Sequence, residues 1–153
     1  MTLVLRTLYW LRKIYQFFLR PINLGVRVML IQEGKVLLVR HVYQDGWFMP
    51  GGGMKRRETI EQAARRECHE EAGVEMQKIE LFGIFSNFSD WKSDHIALFL
   101  SEDFITMTDK KDSEIAEKQF FALDDLPESL GSGHRRRLQE YQVGVKQVQH
   151  GVW

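Results

Sequence analysis

One cysteine, Cys68, stands in 153 residues, so no intrachain disulfide forms and no cysteine framework for zinc exists. That scarcity points to a reducing, cytoplasmic setting. Excess charge of either sign is also missing, with 21 Lys plus Arg against 21 Asp plus Glu. The whole molecule therefore exerts no long-range pull on nucleic acid, and no stable nucleic-acid partner is expected. Long apolar runs are absent too: nothing approaches the ~20 residues of a membrane span, and no small-residue cleavage site comes after a clean apolar core. What remains is 44% apolar and 27% charged, an ordinary globular composition. At this length one domain suffices, burying roughly 70% of the surface of its unfolded chain.

The first 24 residues differ from the rest. They are rich in Leu, Tyr, Trp, Ile and Phe, are interrupted by Arg6, Arg12, Lys13 and Arg20, and precede the first acidic residue, Glu33. This reads as an amphipathic basic helix, separated by Pro21, Asn23 and Gly25 from the strands beyond. The expected organisation is a helical extension over residues 1–24 and one domain over 25–153. The extension would pack on its own domain or on a partner subunit of a homodimer. Contact with a membrane surface through residues 3–20 is a third role.

Val26 to Leu30 and Val36 to Val39 flank Gln32-Glu33-Gly34 and predict a two-stranded hairpin. Ile79 to Phe88, Ile96 to Leu100 and Phe120 to Leu123 are strand-like, with polar loops over Ser89 to Asp94 and about Thr106 to Ser113. A closing helix is expected over His134 to Val143, with His134-Arg135-Arg136-Arg137 as a solvated start. The clearest helix runs from Thr59 to Ala72, with Thr59 and Gln62 spaced as a capping box and Gly73 placed to end it. Before it, Pro50-Gly51-Gly52-Gly53 forms a loop that lets backbone and ligand approach closely, with Gly51 and Gly52 as substrate contacts.

On a helical wheel Gln62, Arg65 and His69 share one side, and Ile60, Ala63 and Ala64 the other. Glu67, Glu70 and Glu71 fall with the apolar stripe, where three carboxylates repel each other and lose hydration. A hard divalent cation such as magnesium removes that conflict. A solvated face, or pairing with Arg65 and Arg66, is the plainer reading of the same residues. The adjoining glycine loop favours the metal.

The stretch Gly52-x5-Glu58-x7-Arg66-Glu67-Cys68-x-Glu70-Glu71-x-Gly73-Val74 resembles the Nudix box at every glycine, arginine and glutamate, with Cys68 where the family usually has a larger aliphatic residue. Trp47 to Gly53 also resembles the family's approach to the box. The resemblance spans about Gly25 to Pro127. It implies an α/β fold, an α/β/α sandwich with a mixed sheet, in which Glu67, Glu70 and Glu71 hold magnesium, or manganese in its place. It further implies that Glu58 and Arg66 orient the cluster and that the Gly52 carbonyl adds a ligand. The implied reaction is attack of water on one phosphorus of a diphosphate linkage in a nucleotide-like substrate. The family often supplies a further carboxylate as general base, and Glu114 and Glu117 are the candidates. Lys55, Arg56 and Arg57 would meet substrate phosphates or form a solvated turn. Phe88, Trp91 and His95 would contact a base or pack in the core.

The chain lacks the proline-rich array of the family's NADH pyrophosphatases. It also lacks the Pro or Tyr used beyond the box to recognise ADP-ribose and dinucleoside polyphosphate hydrolases. A nucleoside triphosphate or nucleotide sugar is left. The rival class is a non-catalytic nucleotide-binding module of the same fold, which loss of box glutamates would have favoured.

Overall fold

The computed structural model describes residues 4, 7–11, 14, 22–88, 93–107, 113–145 and 148–153. Strands β1 (Ile22–Gln32), β2 (Lys35–His41), β3 (Val74–Asn87), β4 (Ser93–Thr106), β5 (Ile115–Ala122) and β6 (Gln149–Val152) form one sheet in the order β5-β2-β1-β4-β3-β6. Pairing is parallel for β1–β4 and β3–β6 and antiparallel elsewhere, so the sheet is mixed.

Alternation along the strands builds a core on each face. Val26, Val28, Leu30, Leu37 and Val39 pack with Ala63 and Ala64 of helix α1 (Ile60–Glu67) and with Cys68. Met29, Ile31, Val36 and Leu38 pack with Phe85 and Leu138, the latter on helix α2 (Ser132–Gln142). A helix on each side of one sheet is the expected α/β/α sandwich.

Three local expectations change. Ser93 and Asp94 begin β4 rather than closing a loop, because β1 extends to Ile22 and supplies their pairing partners Ile22 and Asn23. His134 and Arg137 are buried, not solvated. Their spacing with Leu138 puts all three on the face α2 turns to the sheet, where His134 meets the Trp153 ring edge-on at 5.0 Å and the Arg137 guanidinium lies 4.2 Å over Phe85. Burial pushes the His134 pKa well below its usual 6.5, so the ring is neutral there. The last strand, β6, has no counterpart among the expected elements: it pairs with β3, and the Trp153 N–H donates to the Ser86 carbonyl at 3.0 Å. Residues 89–92, which include Trp91, lie outside the described residues.

β1 and β2 share only the pairs Ile31↔Val36 and Gln32↔Lys35 before they part. Residues 47–53 run through the gap. On one side Phe48 and Val39 exchange backbone hydrogen bonds at 2.9 Å; on the other, Val28 N–H donates to the Pro50 carbonyl at 3.0 Å and Val26 N–H to the Gly52 carbonyl at 2.9 Å. The glycine loop is therefore stitched into the sheet. At Gly51 (φ 141°) a Cβ would overlap the Val26 carbonyl, whereas at Gly53 nothing lies within 4 Å. Gly51→Ala should lower stability by on the order of 2–4 kcal/mol, and Gly53→Ala by no more than about 0.5 kcal/mol. Urea unfolding midpoints at unchanged slope measure both, and coincident midpoints would contradict this path for the loop.

Candidate active site

α1 opens as its sequence dictates: Thr59 Oγ1 accepts from Gln62 N–H at 3.1 Å, and Gln62 Oε1 accepts from Thr59 N–H at 2.9 Å. Gly73, at φ 64°, closes the helical segment. Between them the helix widens to π geometry over Cys68–Ala72, a departure from the regular 3.6-residue wheel. The wider turn rotates Glu70 and Glu71 relative to Glu67. Its end is held from β5, where Lys118 Nζ donates to the Ala72 carbonyl at 3.2 Å.

Arg66 is the centre of the charge arrangement. Its Nε and one terminal nitrogen grip Glu58 as a fork, at 2.7 and 3.0 Å. The other terminal nitrogen donates to Glu67 at 2.6 Å and to Glu70 at 3.1 Å. A further bond of 3.2 Å reaches the Gly53 carbonyl. Glu58 also accepts from Lys55 N–H at 2.8 Å, and Lys55 Nζ lies 3.8 Å from Glu70. One guanidinium thus joins three of the four box glutamates to the loop.

Glu71 faces the loop differently. Its Oε2 accepts from Gly51 N–H at 2.9 Å, and its Oε1 lies 3.8 Å from His41 Nε2. Both side chains are about nine-tenths buried. His41 continues the alternation of Leu37 and Val39 toward α1, and its ring packs against Tyr43 at 5.1 Å and Phe48 at 5.7 Å. Sequence reasoning missed His41, although the period-2 alternation in Leu37-Leu38-Val39-Arg40-His41 marks it. It also missed Arg27, on the opposite face, which donates to the Met49 and Gly51 carbonyls at 2.9 and 2.6 Å and fixes the loop from β1.

The remaining candidates divide. Gly52 lies against Glu67 so closely that a Cβ would come 2.7–2.9 Å from the carboxylate atoms. Its carbonyl, expected to meet a cation, is engaged by Val26 N–H. Arg57 is exposed on the turn before Glu58. Glu114 stands just before β5, its carbonyl accepting from Val42 N–H at 2.9 Å, next to His41. Glu117 lies inside β5 rather than in a loop before it, paired across the strands with Arg40 at 2.6 Å. Arg40 stacks toward Trp47 at 5.8 Å, on the face away from α1, so Glu117 is turned from the cluster. Phe88 is exposed, and His95 Nδ1 bonds Ser86 Oγ at 3.1 Å.

Among the described residues no group of three or more His, Cys, Asp or Glu side chains is arranged to hold an ion. Arg66 occupies the space between Glu67 and Glu70. The donor chemistry nonetheless fits a hard divalent cation: Glu58, Glu67 and Glu70 share a single guanidinium, and Glu71 adds a fourth carboxylate beside them. The Arg66 hydrogen bond and then the Lys55 N–H draw the Glu58 pKa from 4.5 down to about 2, while Glu58 in turn raises that of Arg66. A carboxylate with a depressed folded-state pKa contributes stability above its unfolded value and loses it as pH falls through the folded one. The Glu58–Arg66 pair should therefore survive acidification to about pH 2. Carbon-13 NMR titration of the Glu58 carboxyl checks this, and in Arg66→Ala the midpoint should return toward 4.5. An unmoved midpoint would remove Arg66 as the cause.

The family model of the NUDIX domain matches residues 21–141. The chain is 38% identical over 72 residues to an RNA pyrophosphohydrolase of Hydrogenovibrio crunogenus, covering 47% of this chain and 41% of that protein. A second RNA pyrophosphohydrolase, from Stutzerimonas stutzeri, is 42% identical over 62 residues, covering 40% and 38%. The chain spans less than half the length of these curated relatives in the matched region. Among solved structures, a MutT protein from Methanosarcina mazei Go1 superposes with a TM-score of 0.73 at 21% identity, over 84% of this chain and 99% of that one. A MutT NUDIX hydrolase from Burkholderia pseudomallei gives 0.69 at 23% identity, over 77% and 96%. The structural likeness establishes the fold, and the match over residues 21–141, which contains the whole glutamate cluster, shows that this chain belongs to the NUDIX family.

Proposed function

We propose that this chain, as a domain over residues 25–153 with its extension over 1–24, is a magnesium-dependent hydrolase. It splits a diphosphate linkage in a nucleoside triphosphate or nucleotide sugar, in a cytoplasmic setting suited to its buried Cys68. The observation that carries the reading is the gathering of box carboxylates beside the glycine loop: Glu71 accepts from Gly51 N–H, Glu67 lies against Gly52, and Arg66 ties Glu67 to Glu70 and Glu58. Non-catalytic binding would not require all four box glutamates to be kept against their mutual repulsion.

Glu67, Glu70 and Glu71 would hold the cation, magnesium or manganese, with the second lone pair of the Gly52 carbonyl as a further donor. Once bound, the metal neutralises phosphate charge and activates water for attack on phosphorus. Gly51 to Gly53 present backbone without side chains to the phosphates, and Arg57 on the adjacent turn adds positive charge. Glu58 and Arg66 fix the orientation of the cluster. Glu114 is favoured over Glu117 as general base, because it stands beside His41 and Glu117 is committed to Arg40.

The names of the relatives favour a second reading, in which the diphosphate belongs to an RNA. Turnover of nucleoside triphosphates, nucleotide sugars and a 5′-triphosphorylated oligoribonucleotide separates the two. In each case Glu71→Gln keeps an oxygen to accept from Gly51 N–H but loses a charge at the metal, and should cost at least ~10²-fold in turnover. Unchanged rates in that variant would sink the metal-cluster assignment. Removal of divalent cations with a chelator should abolish the wild-type activity, and persistence of activity would count equally against it.

A further inference from the structure

We propose that His134 is a positioning residue of the candidate active site, acting from the far face of the sheet: by accepting the Met49 N–H it sets where Gly51 and Gly52 stand against the box carboxylates. This role rests on the metal reading of the site given above. Met49 is fully buried where the loop threads the sheet, so both of its peptide groups need partners. β2 takes the peptide groups of Phe48, and β1 takes the carbonyls of Pro50 and Gly52. No backbone group among the described residues bonds those of Met49. Two side chains do so instead: Arg27 donates to the Met49 carbonyl at 2.9 Å, and the Met49 N–H donates to His134 Nδ1 at 3.4 Å.

The residues that follow carry this placement to the carboxylates. Pro50 has a fixed φ, so a shift at Met49 is passed on rather than absorbed. The next residue, Gly51, gives its N–H to Glu71, and Gly52 lies against Glu67. The same Arg27 nitrogen that holds the Met49 carbonyl also holds that of Gly51, at 2.6 Å.

The fold delivers the imidazole to Met49. Trp47 N–H donates to the Ser129 carbonyl at 3.3 Å and Trp47 pairs with Leu130, so the segment entering α2 runs beside the loop and sets His134, in the first turn of α2, next to Met49. The ring is met edge-on by Phe48 at 5.6 Å and by Trp153 at 5.0 Å. Trp153 comes this near because residue 133 is glycine, where a Cβ would lie 2.3 Å from the indole. A backbone N–H only donates, so Nδ1 is bare and Nε2 carries the proton. Burial, and then the charge of Arg27, keep the ring neutral. A phenyl ring would satisfy the packing, but only an acceptor satisfies Met49.

Two variants of the full chain separate acceptor from ring. His134→Phe keeps a ring for Phe48 and Trp153 and loses the acceptor; His134→Asn loses the ring and keeps an oxygen near the position of Nδ1. Amide exchange followed by NMR is read at Gly51 against Leu98, in the strand between β1 and β3, which reports on the fold as a whole. In His134→Phe the ratio of the Gly51 rate to the Leu98 rate should rise roughly tenfold and Mn2+ should bind roughly tenfold more weakly, with most of both recovered in His134→Asn. Equal acceleration at Gly51 and Leu98, or an Asn variant no better than the Phe variant, would overturn the proposal. Nitrogen-15 NMR of the wild type decides even if a variant fails to fold: Nδ1 should lack a proton, and a protonated Nδ1 would contradict the role. If the wild type binds no Mn2+, the metal reading of the site falls, while the exchange ratio still decides whether His134 positions the loop.

Discussion

The passage of residues 47–53 between β1 and β2 sets most of what lies around it. Two strands that begin as a hairpin are forced apart after two residue pairs, and the loop takes over their backbone hydrogen bonds on both sides. This gives the glycines a rigid frame rather than a mobile turn. The cost is conformational: Gly51 must sit at φ 141° with no room for a side chain. The return is a backbone whose N–H and carbonyl groups are fixed relative to α1. Gly51 N–H meets Glu71, the Gly53 carbonyl meets Arg66, and Arg27 braces the loop from β1.

Beside this loop the chain concentrates negative charge. Four glutamates lie in or next to two helical turns, a placement that repulsion and lost hydration disfavour unless cations answer it. Arg66 answers part of it and Lys55 a smaller part. The π turn at Cys68–Ala72 and the Lys118 bond at its end fix the azimuth of Glu70 and Glu71. Under the proposed function, this site of acids, open to the loop, would take up a divalent cation together with its phosphate ligands.

Much of this is legible in the sequence because it rests on local rules. Thr59, Gln62 and Gly73 announce both ends of the helical segment, strand alternation separates the two cores, and the box spacing carries the family. The features that escape depend on contacts distant in sequence. The π turn has no compositional signature, and Lys118 caps α1's continuation from 46 residues away. His134 and Arg137 look solvated until Trp153 and Phe85 are seen against them. Glu117 looks available until its partner across the strand pair, Arg40, is known. His41 is the exception: its place in the β2 alternation is readable, and a basic end to an apolar strand disguises it.

Manganese titration monitored by NMR tests the central claim most directly. The paramagnetic ion should broaden the backbone amides of Gly51, Gly52, Glu67 and Glu70 to Gly73 first and together, with Glu71→Gln weakening the effect. Broadening centred instead on the acidic residues Glu80 and Glu102 of β3 and β4, or spread evenly over the surface, would contradict a metal site built on the glycine loop and α1.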